Sequence, residues 1–376
     1  MSAEKPNAER GQGVPRRQGV DVASLVRPAL AGFEPYDPAF SPCEVNLSAN
    51  ENTHPLPDAV RDAVRAAVEA TPLNRYPDPL ANELRDELAA WHGVERANVM
   101  VGNGGDELLF NLIFAFGGPG RSLVVAPPCF EEYKNFARMC ETDVVEVWRD
   151  PKDLLPDADA LVRAAQGAQL VMLTSPNNPT GDLMDPALVR RLLDQTDALV
   201  LLDEAYVEFA PQGSSLVGWV RHNPRLMVLR TLSKAFAMAG LRCGYLVADP
   251  EVIGVLAAIR QIYSEDVLAQ AAGLAAVRGR DHMLGVIRSI VAERERLAKR
   301  LQALPGAQVW PSSANFLLVR LPHAASVRAR LRDEHSVLVR DFSYAPGLAD
   351  CLRITVGTEQ ENQRLMAALQ AVTGEG

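Results

Sequence analysis

The stretch TLSKAFAMAGLRCG, residues 231–244, places a lysine between a strand-like run, RLMVLR (225–230), and a segment of small residues, AFAMAG (235–240). Lysine is rarely buried without a partner, and Lys234 has apolar neighbours on both sides. Either its ammonium snorkels to the surface along its own stem, or its nitrogen is held inside for chemistry. Taken alone, a strand-end lysine is better explained by the first reading. The chain holds five lysines, and the other four sit in different settings. Lys5 lies near the N-terminus, Lys134 among charged residues in EEYKNF, Lys152 after Asp150-Pro151, and Lys299 on a charged helical face.

Outward from this stretch, apolar runs alternate with helical patterns. SLVVAPP (122–128), DVVEVW (143–148), QLVMLTSP (169–176), ALVLLDEAY (198–206), RLMVLRTLS (225–233) and CGYLVAD (243–249) read as strands. Several are continuous rather than alternating, as for strands buried on both faces. DADALVRAAQ and DPALVRRLLDQT between them have helical spacing. This order predicts an α/β domain with a mostly parallel sheet, whose ligands bind beyond the carboxyl ends of its strands. After residue 250 the pattern changes. A long amphipathic helix over 282–304 precedes strand-like ANFLLVRL (314–321), SVLVRDF (336–342) and CLRITVG (351–357), and Thr358 and Glu361 stand at capping-box spacing. The predicted organisation is a flexible tail over 1–20, an N-terminal arm over 21–50, a large domain over 51–260 and a smaller α+β domain over 261–376.

Composition narrows the function. Hydrophobic residues make up 48% and charged residues 23% of 376 residues, the balance of a soluble globular protein large enough for two domains. A net charge of −9 argues against a nucleic-acid surface. No apolar run approaches the roughly 18–20 residues that span a bilayer, and the polar N-terminus lacks the apolar core of a signal peptide. Five scattered cysteines with no CxxC pair suit reduced thiols in the cytoplasm. The six histidines show no metal-binding spacing, so no metal is expected.

Three further strand ends change the odds for Lys234. SPNNPTG (175–181) is rich in turn dipeptides, and by itself it could be only a tight loop. Asp203 follows ALVLL directly, where an isolated acid is more often a helix cap. VGNGGDELLFNLI (101–113) sets a glycine-rich turn before an amphipathic helix, a place where backbone N–H groups can hold a phosphate. Together these supply an amine, an acid and a phosphate cup. Pyridoxal 5′-phosphate needs those three: a lysine for its aldehyde, an acid for its ring nitrogen, and a phosphate site.

NPTG, then DEAY, then SK, then an arginine eight residues on is an order that resembles the fold-type I aminotransferases. The closer resemblance is to the histidinol-phosphate aminotransferase branch of class II. It runs through NLSANEN (46–52), NRYPDP (74–79), GNGGDE (102–107), SPNNPTG, DEAY (203–206), RTLSKAFAMAGLRCG (230–244), ANFLLVR (314–320), VLVRDF (337–342) and CLRITVGT (351–358). Nine such motifs in the family's order are highly specific. The resemblance implies an α/β fold-type I architecture, with a mostly parallel large-domain sheet flanked by helices and a smaller α+β C-terminal domain.

It also implies roles. Lys234 forms the covalent link to the cofactor and shuttles a proton, and Asp203 pairs with the ring nitrogen. Tyr206 and Asn178 bond the phenolic oxygen. Gly105, Asp106, Thr231, Ser233 and Arg242 hold the phosphate, the last through a planar fork suited to it. Tyr76 matches a tyrosine delivered to the phosphate by a neighbouring subunit, so a homodimer is implied. Where the family has a ring-stacking tyrosine in a PTY turn, this chain reads PPCF, with Phe130 in its place. On the substrate side, Arg353 matches the carboxylate-binding arginine, Arg340 a basic residue for the substrate phosphate, and Tyr36 a tyrosine reaching that phosphate from the partner. Asn50, in NLSANEN, is the remaining implied substrate contact. The implied reaction is transamination between L-histidinol phosphate and 2-oxoglutarate. An aromatic amino-acid aminotransferase, a threonine-phosphate decarboxylase and a non-catalytic cofactor-binding regulator stay open as alternatives. No basic helix-turn-helix region supports the last.

Overall fold

Alternation of apolar runs with helical segments produces two sheets in the computed structural model, which describes residues 21–33 and 41–374. The tail expected over 1–20 and Tyr36 lie outside the described residues. Residues 21–33 belong to a separate unit and carry two short 3-10 turns, Val22–Leu25 and Pro28–Leu30.

In the larger unit the chain runs β1 (Val45–Leu47), α1 (Asp58–Glu69), α2 (Asn82–His92), β2 (Val99–Asn103), α3 (Gly104–Phe116), β3 (Ser122–Val125), α4 (Glu132–Met139) and β4 (Asp143–Glu146). It continues through α5 (Ala158–Ala164), β5 (Leu170–Thr174), α6 (Pro186–Gln195), β6 (Leu199–Asp203), β7 (Leu226–Thr231), β8 (Cys243–Val247), α7 (Pro250–Ile259) and α8 (Val267–Arg278). It ends with α9 (Arg280–Gln302), β9 (Gln308–Val309), β10 (Phe316–Arg320), α10 (Ala324–His335), β11 (Val337–Asp341), β12 (Cys351–Thr355) and α11 (Glu359–Thr373). Helix starts follow local chemistry. Asp157, Asp185, Asp249 and Asp266 each accept a backbone N–H at the start of α5, α6, α7 and α8. Thr358 and Glu361 form the expected capping box at α11.

Seven strands form the first sheet in the order β2-β8-β7-β6-β5-β3-β4. All neighbours are parallel except β8, which runs antiparallel to β2 and β7. Both faces are covered, which is why its strands read as continuous apolar runs. On one face Leu201, Met227 and Leu229 pack with Leu108 and Leu112 of α3, Tyr133 of α4 and Ile253 of α7. On the other, Val200, Leu202 and Val228 pack with Leu84 of α2 and Leu188 and Leu192 of α6. The second sheet has the order β1-β11-β12-β10-β9.

Two boundaries differ from those drawn on the sequence. Val45–Leu47, expected in an arm, pairs in parallel with Val337–Val339 and so belongs to the second sheet. Helix α8, expected in the smaller domain, packs against α1, α2 and β8. Its small residues Ala269, Ala272 and Ala276 are buried, so its apolar stripe needs those helices as cover. Among the described residues no helix is long and apolar enough to cross a membrane.

Leu201 lies fully buried on β6 at the centre of the first sheet. Leu201→Ala is expected to cost about 2–5 kcal/mol and to lower the urea midpoint with little change in slope. An unchanged midpoint would contradict this layer's place in the cooperative core.

Candidate active site

Strand alternation decides which side chains reach the cavity. Successive residues of a strand point to opposite faces. Thr174 of β5, Asp203 of β6 and Leu229 of β7 stand opposite one another in the ladder and share the α3–α4 face, with Thr231 two residues on. Glu204 and Arg230 point the other way, where Arg230 Nε lies 3.1 Å from Glu204 Oε2 and Arg230 Nη1 donates to Glu208 Oε1 at 2.7 Å. Glu204 also accepts from Ser215 Oγ at 2.6 Å and Leu216 N–H at 2.7 Å. These bonds offset part of the cost of burying the charges, while Arg230 Nε and Glu208 Oε2 make no hydrogen bond of their own. The cluster ties the ends of β6 and β7 together behind the cavity.

In front of it, Gly105, Asp106, Phe130, Asn178, Asp203, Tyr206, Thr231, Ser233, Lys234 and Arg242 line one cavity of about 200 Å³. These ten residues, all singled out on the sequence, come from six separate segments. Lys234 follows β7, and its Nζ donates to the carbonyl of Ala49 at 3.0 Å. Burial, reinforced by the positive charge of Arg353, lowers the Lys234 ammonium to about 8. Asp203 is 5% exposed and accepts from Tyr133 Oη at 2.8 Å and from Ala205 N–H at 3.0 Å. Burial raises its carboxyl to about 6 despite those two bonds. Phe130 stands edge-on to Tyr133, with ring centroids 5.5 Å apart.

The end of the cavity at the start of α3 is built by close backbone approach. Asn103 makes no side-chain cap at α3 and donates instead to the carbonyl of Ser264, so the first-turn N–H groups are left for a ligand. A Cβ on Gly244 would stand 2.6 Å from the backbone nitrogen of Gly105, so only glycine lets β8 pass here. Gly104 has φ +76°, which glycine adopts without steric cost. Thr231 Oγ1 donates to Ser233 Oγ at 2.9 Å, and Arg242 pairs with Asp106 at 2.9 Å.

The second sheet closes the other side. Asn50, in the left-handed region at φ 55°, donates through Nδ2 to Tyr206 Oη at 3.1 Å and receives a bond from Asn315. Arg353 Nη1 donates to Asn178 Oδ1 at 2.7 Å, and its guanidinium lies over the rings of Phe316 and Phe342. Arg340 stands opposite Arg353 in the antiparallel ladder. Tyr76 is not brought into the cavity: it is 81% exposed and stacks on Tyr263 at 4.5 Å. Tyr133 and Thr174 were missed by the sequence reading, as was the Glu204–Arg230–Glu208 cluster. The only signal for the cluster was its neighbours, since each member adjoins a motif residue or lies in the same loop.

The donor set fits pyridoxal 5′-phosphate. Lys234 offers a low-pKa amine, Asp203 a buried acid, and the start of α3 with Ser233 and Arg242 a phosphate cup. Comparison with known proteins agrees. The family model for aminotransferase class I and II matches residues 43–369. The chain belongs to this family. It is 40% identical over 344 residues to histidinol-phosphate aminotransferase 1 of Carboxydothermus hydrogenoformans, covering 91% of this chain and 96% of that one. Among solved structures, the histidinol-phosphate aminotransferase of Sinorhizobium meliloti in complex with pyridoxal 5′-phosphate superposes with a TM-score of 0.85 at 27% identity, covering 94% of this chain and 98% of that one. L-threonine-O-3-phosphate decarboxylase of Porphyromonas gingivalis gives 0.76 at 28% identity, covering 87% and 99%. The aminotransferase reading of the sequence is borne out.

Only the neutral amine of Lys234 is a nucleophile, and its fraction rises as pH passes through the lowered pKa. The rate at which cofactor-free protein captures pyridoxal 5′-phosphate, followed by visible absorbance, should therefore rise with a midpoint near pH 8. Arg353→Met removes a nearby positive charge and should move that midpoint upward. A wild-type midpoint near the ordinary 10.5 would place the amine in water.

Proposed function

We propose that this aminotransferase exchanges the amino group of L-histidinol phosphate with 2-oxoglutarate, giving imidazole acetol phosphate and L-glutamate. The observation that carries this reading is the register pair Arg340 and Arg353. Opposed residues in a ladder share a face, and like charges there repel. An anionic ligand turns that repulsion into attraction, and guanidinium forks suit both a carboxylate and a phosphate. One site can then take glutamate in one half-reaction and the phosphate ester in the other. The relative and solved structure that carry this activity in their names support the same reading.

Bound pyridoxal 5′-phosphate supplies an electron sink for the substrate α-carbon. Around it, Lys234 provides the covalent anchor and then a neutral amine that moves the proton at the α-carbon. Asp203 holds the proton on the ring nitrogen. Tyr206 and Asn178 bond the phenolic oxygen, and Phe130 packs against the ring. Gly105, Asp106, Thr231, Ser233 and Arg242 bind the phosphate. Tyr76, exposed and stacked on Tyr263, is assigned to the phosphate of a neighbouring subunit, and the active unit to a homodimer. Tyr36 is assigned to the substrate phosphate in the same way, and Asn50 to the substrate through its place beside Tyr206. The cytoplasm is the proposed compartment, since no two of the five cysteines are bonded to each other.

A second reading, transamination of aromatic amino acids, is favoured by the rings of Phe316 and Phe342 lying 5.6 and 5.3 Å from the Arg353 guanidinium. The two readings separate on kcat/KM for histidinol phosphate against phenylalanine. Arg340→Ala should lower the first by about 2–5 kcal/mol in activation free energy and leave the second within about twofold. A preference for phenylalanine, or equal losses with both, contradicts the phosphate reading.

A further inference from the structure

Tyr133 lies in EEYKNF, on the inner face of α4, and has no exposed surface. Its hydroxyl stands over a cross-strand pair, Thr174 of β5 and Asp203 of β6, at 2.8 Å from Thr174 Oγ1 and 2.8 Å from Asp203 Oδ2. Burial, then the Asp203 charge, push the Tyr133 phenol well above its usual pKa, so it keeps its proton. A phenol has one proton to give. With that proton directed to the carboxylate, Thr174 must be the donor to the phenol oxygen. The order Thr174 to Tyr133 to Asp203 is thus fixed by the donor inventory, and such chains strengthen each bond by polarisation.

We propose that Tyr133 and Thr174 are positioning residues for Asp203, setting the rotation and the ionised form in which its carboxylate meets a protonated ring nitrogen. The proposal rests on the assignment of Asp203 to that nitrogen. Asp203 Oδ1 is already bonded to Ala205 N–H, and Oδ2 is bonded to Tyr133. With one bond on each oxygen the carboxylate cannot rotate about its own axis without losing both, while lone pairs stay open towards the cavity. The ionised form needs this help. Burial and the acids Asp106 of α3 and Glu204, just after β6, all favour the protonated carboxyl, and the Tyr133 and Ala205 donors oppose them. A protonated Asp203 would lose its attraction for a cationic ring.

The test compares two ligands on full-length protein stripped of cofactor: pyridoxal 5′-phosphate and its 1-deaza analogue, whose ring carries carbon in place of the nitrogen. Equilibrium binding is the readout, so turnover is not needed. Wild type should bind the natural cofactor more tightly than the analogue. Tyr133→Phe keeps the ring and its edge contact with Phe130 but removes the donor. It should weaken cofactor binding about ten- to hundredfold and leave the analogue within about twofold, collapsing the discrimination. Thr174→Val should give a smaller loss in the same direction, and Thr174→Ser should retain wild-type discrimination; these two carry the test if Tyr133→Phe does not fold. If wild type discriminates and the variants do so equally well, Asp203 keeps its role and the positioning proposal is overturned. Equal losses with both ligands mean a general packing role and overturn it too. A wild type that does not discriminate removes the Asp203 assignment, and the proposal with it.

Discussion

The parallel pairing of β5, β6 and β7 is the constraint on which the site depends. It sets Thr174, Asp203 and Leu229 in one row and sends Glu204 and Arg230 to the opposite face. Shifting the register by one residue would exchange the two sets, leaving Asp203 and the cavity-lining Thr231 on the wrong side of the sheet. The buried cluster of Arg230 with Glu204 and Glu208 acts against such a shift, because removing either partner leaves an uncompensated charge in the core. Cavity chemistry and fold stability are in this sense two faces of the same strand ends.

The second sheet adds what the first cannot. Arg353 and Asn50 reach across to Asn178 and Tyr206, so groups carried by the two sheets are hydrogen-bonded to one another. The positive charge of Arg353 also helps hold the Lys234 ammonium down to about 8, where a useful fraction is neutral near physiological pH. The arginine charge thus favours the neutral form of the neighbouring amine. Arg340, on the adjacent strand, stands opposite Arg353 and adds a second positive charge beside it.

The sequence carried most of this because the informative residues sit at the ends of long apolar runs, where the fold has few ways to place them. Lys234, Asp203 and Asn178 were legible for that reason, as was the glycine turn before α3. Tyr133 was not. In EEYKNF it reads as one apolar position of an amphipathic helix, and its partners lie 41 and 70 residues away. Strand β1 has three residues, too few for a period-2 pattern, and its partner β11 is near the other end of the chain. Helix α8 packs on α1, α2 and β8, neighbours that an alanine-rich stripe does not specify. Long-range pairing by short or small residues leaves little local trace.

Lys234 is the residue assigned to carry the cofactor. Holoenzyme reduced with borohydride and digested should yield one pyridoxyl-modified peptide, containing Lys234, and Lys234→Ala should yield none. Modification at Lys134, Lys152 or Lys299 instead, or the absence of any reducible adduct in the wild-type protein, would contradict the account.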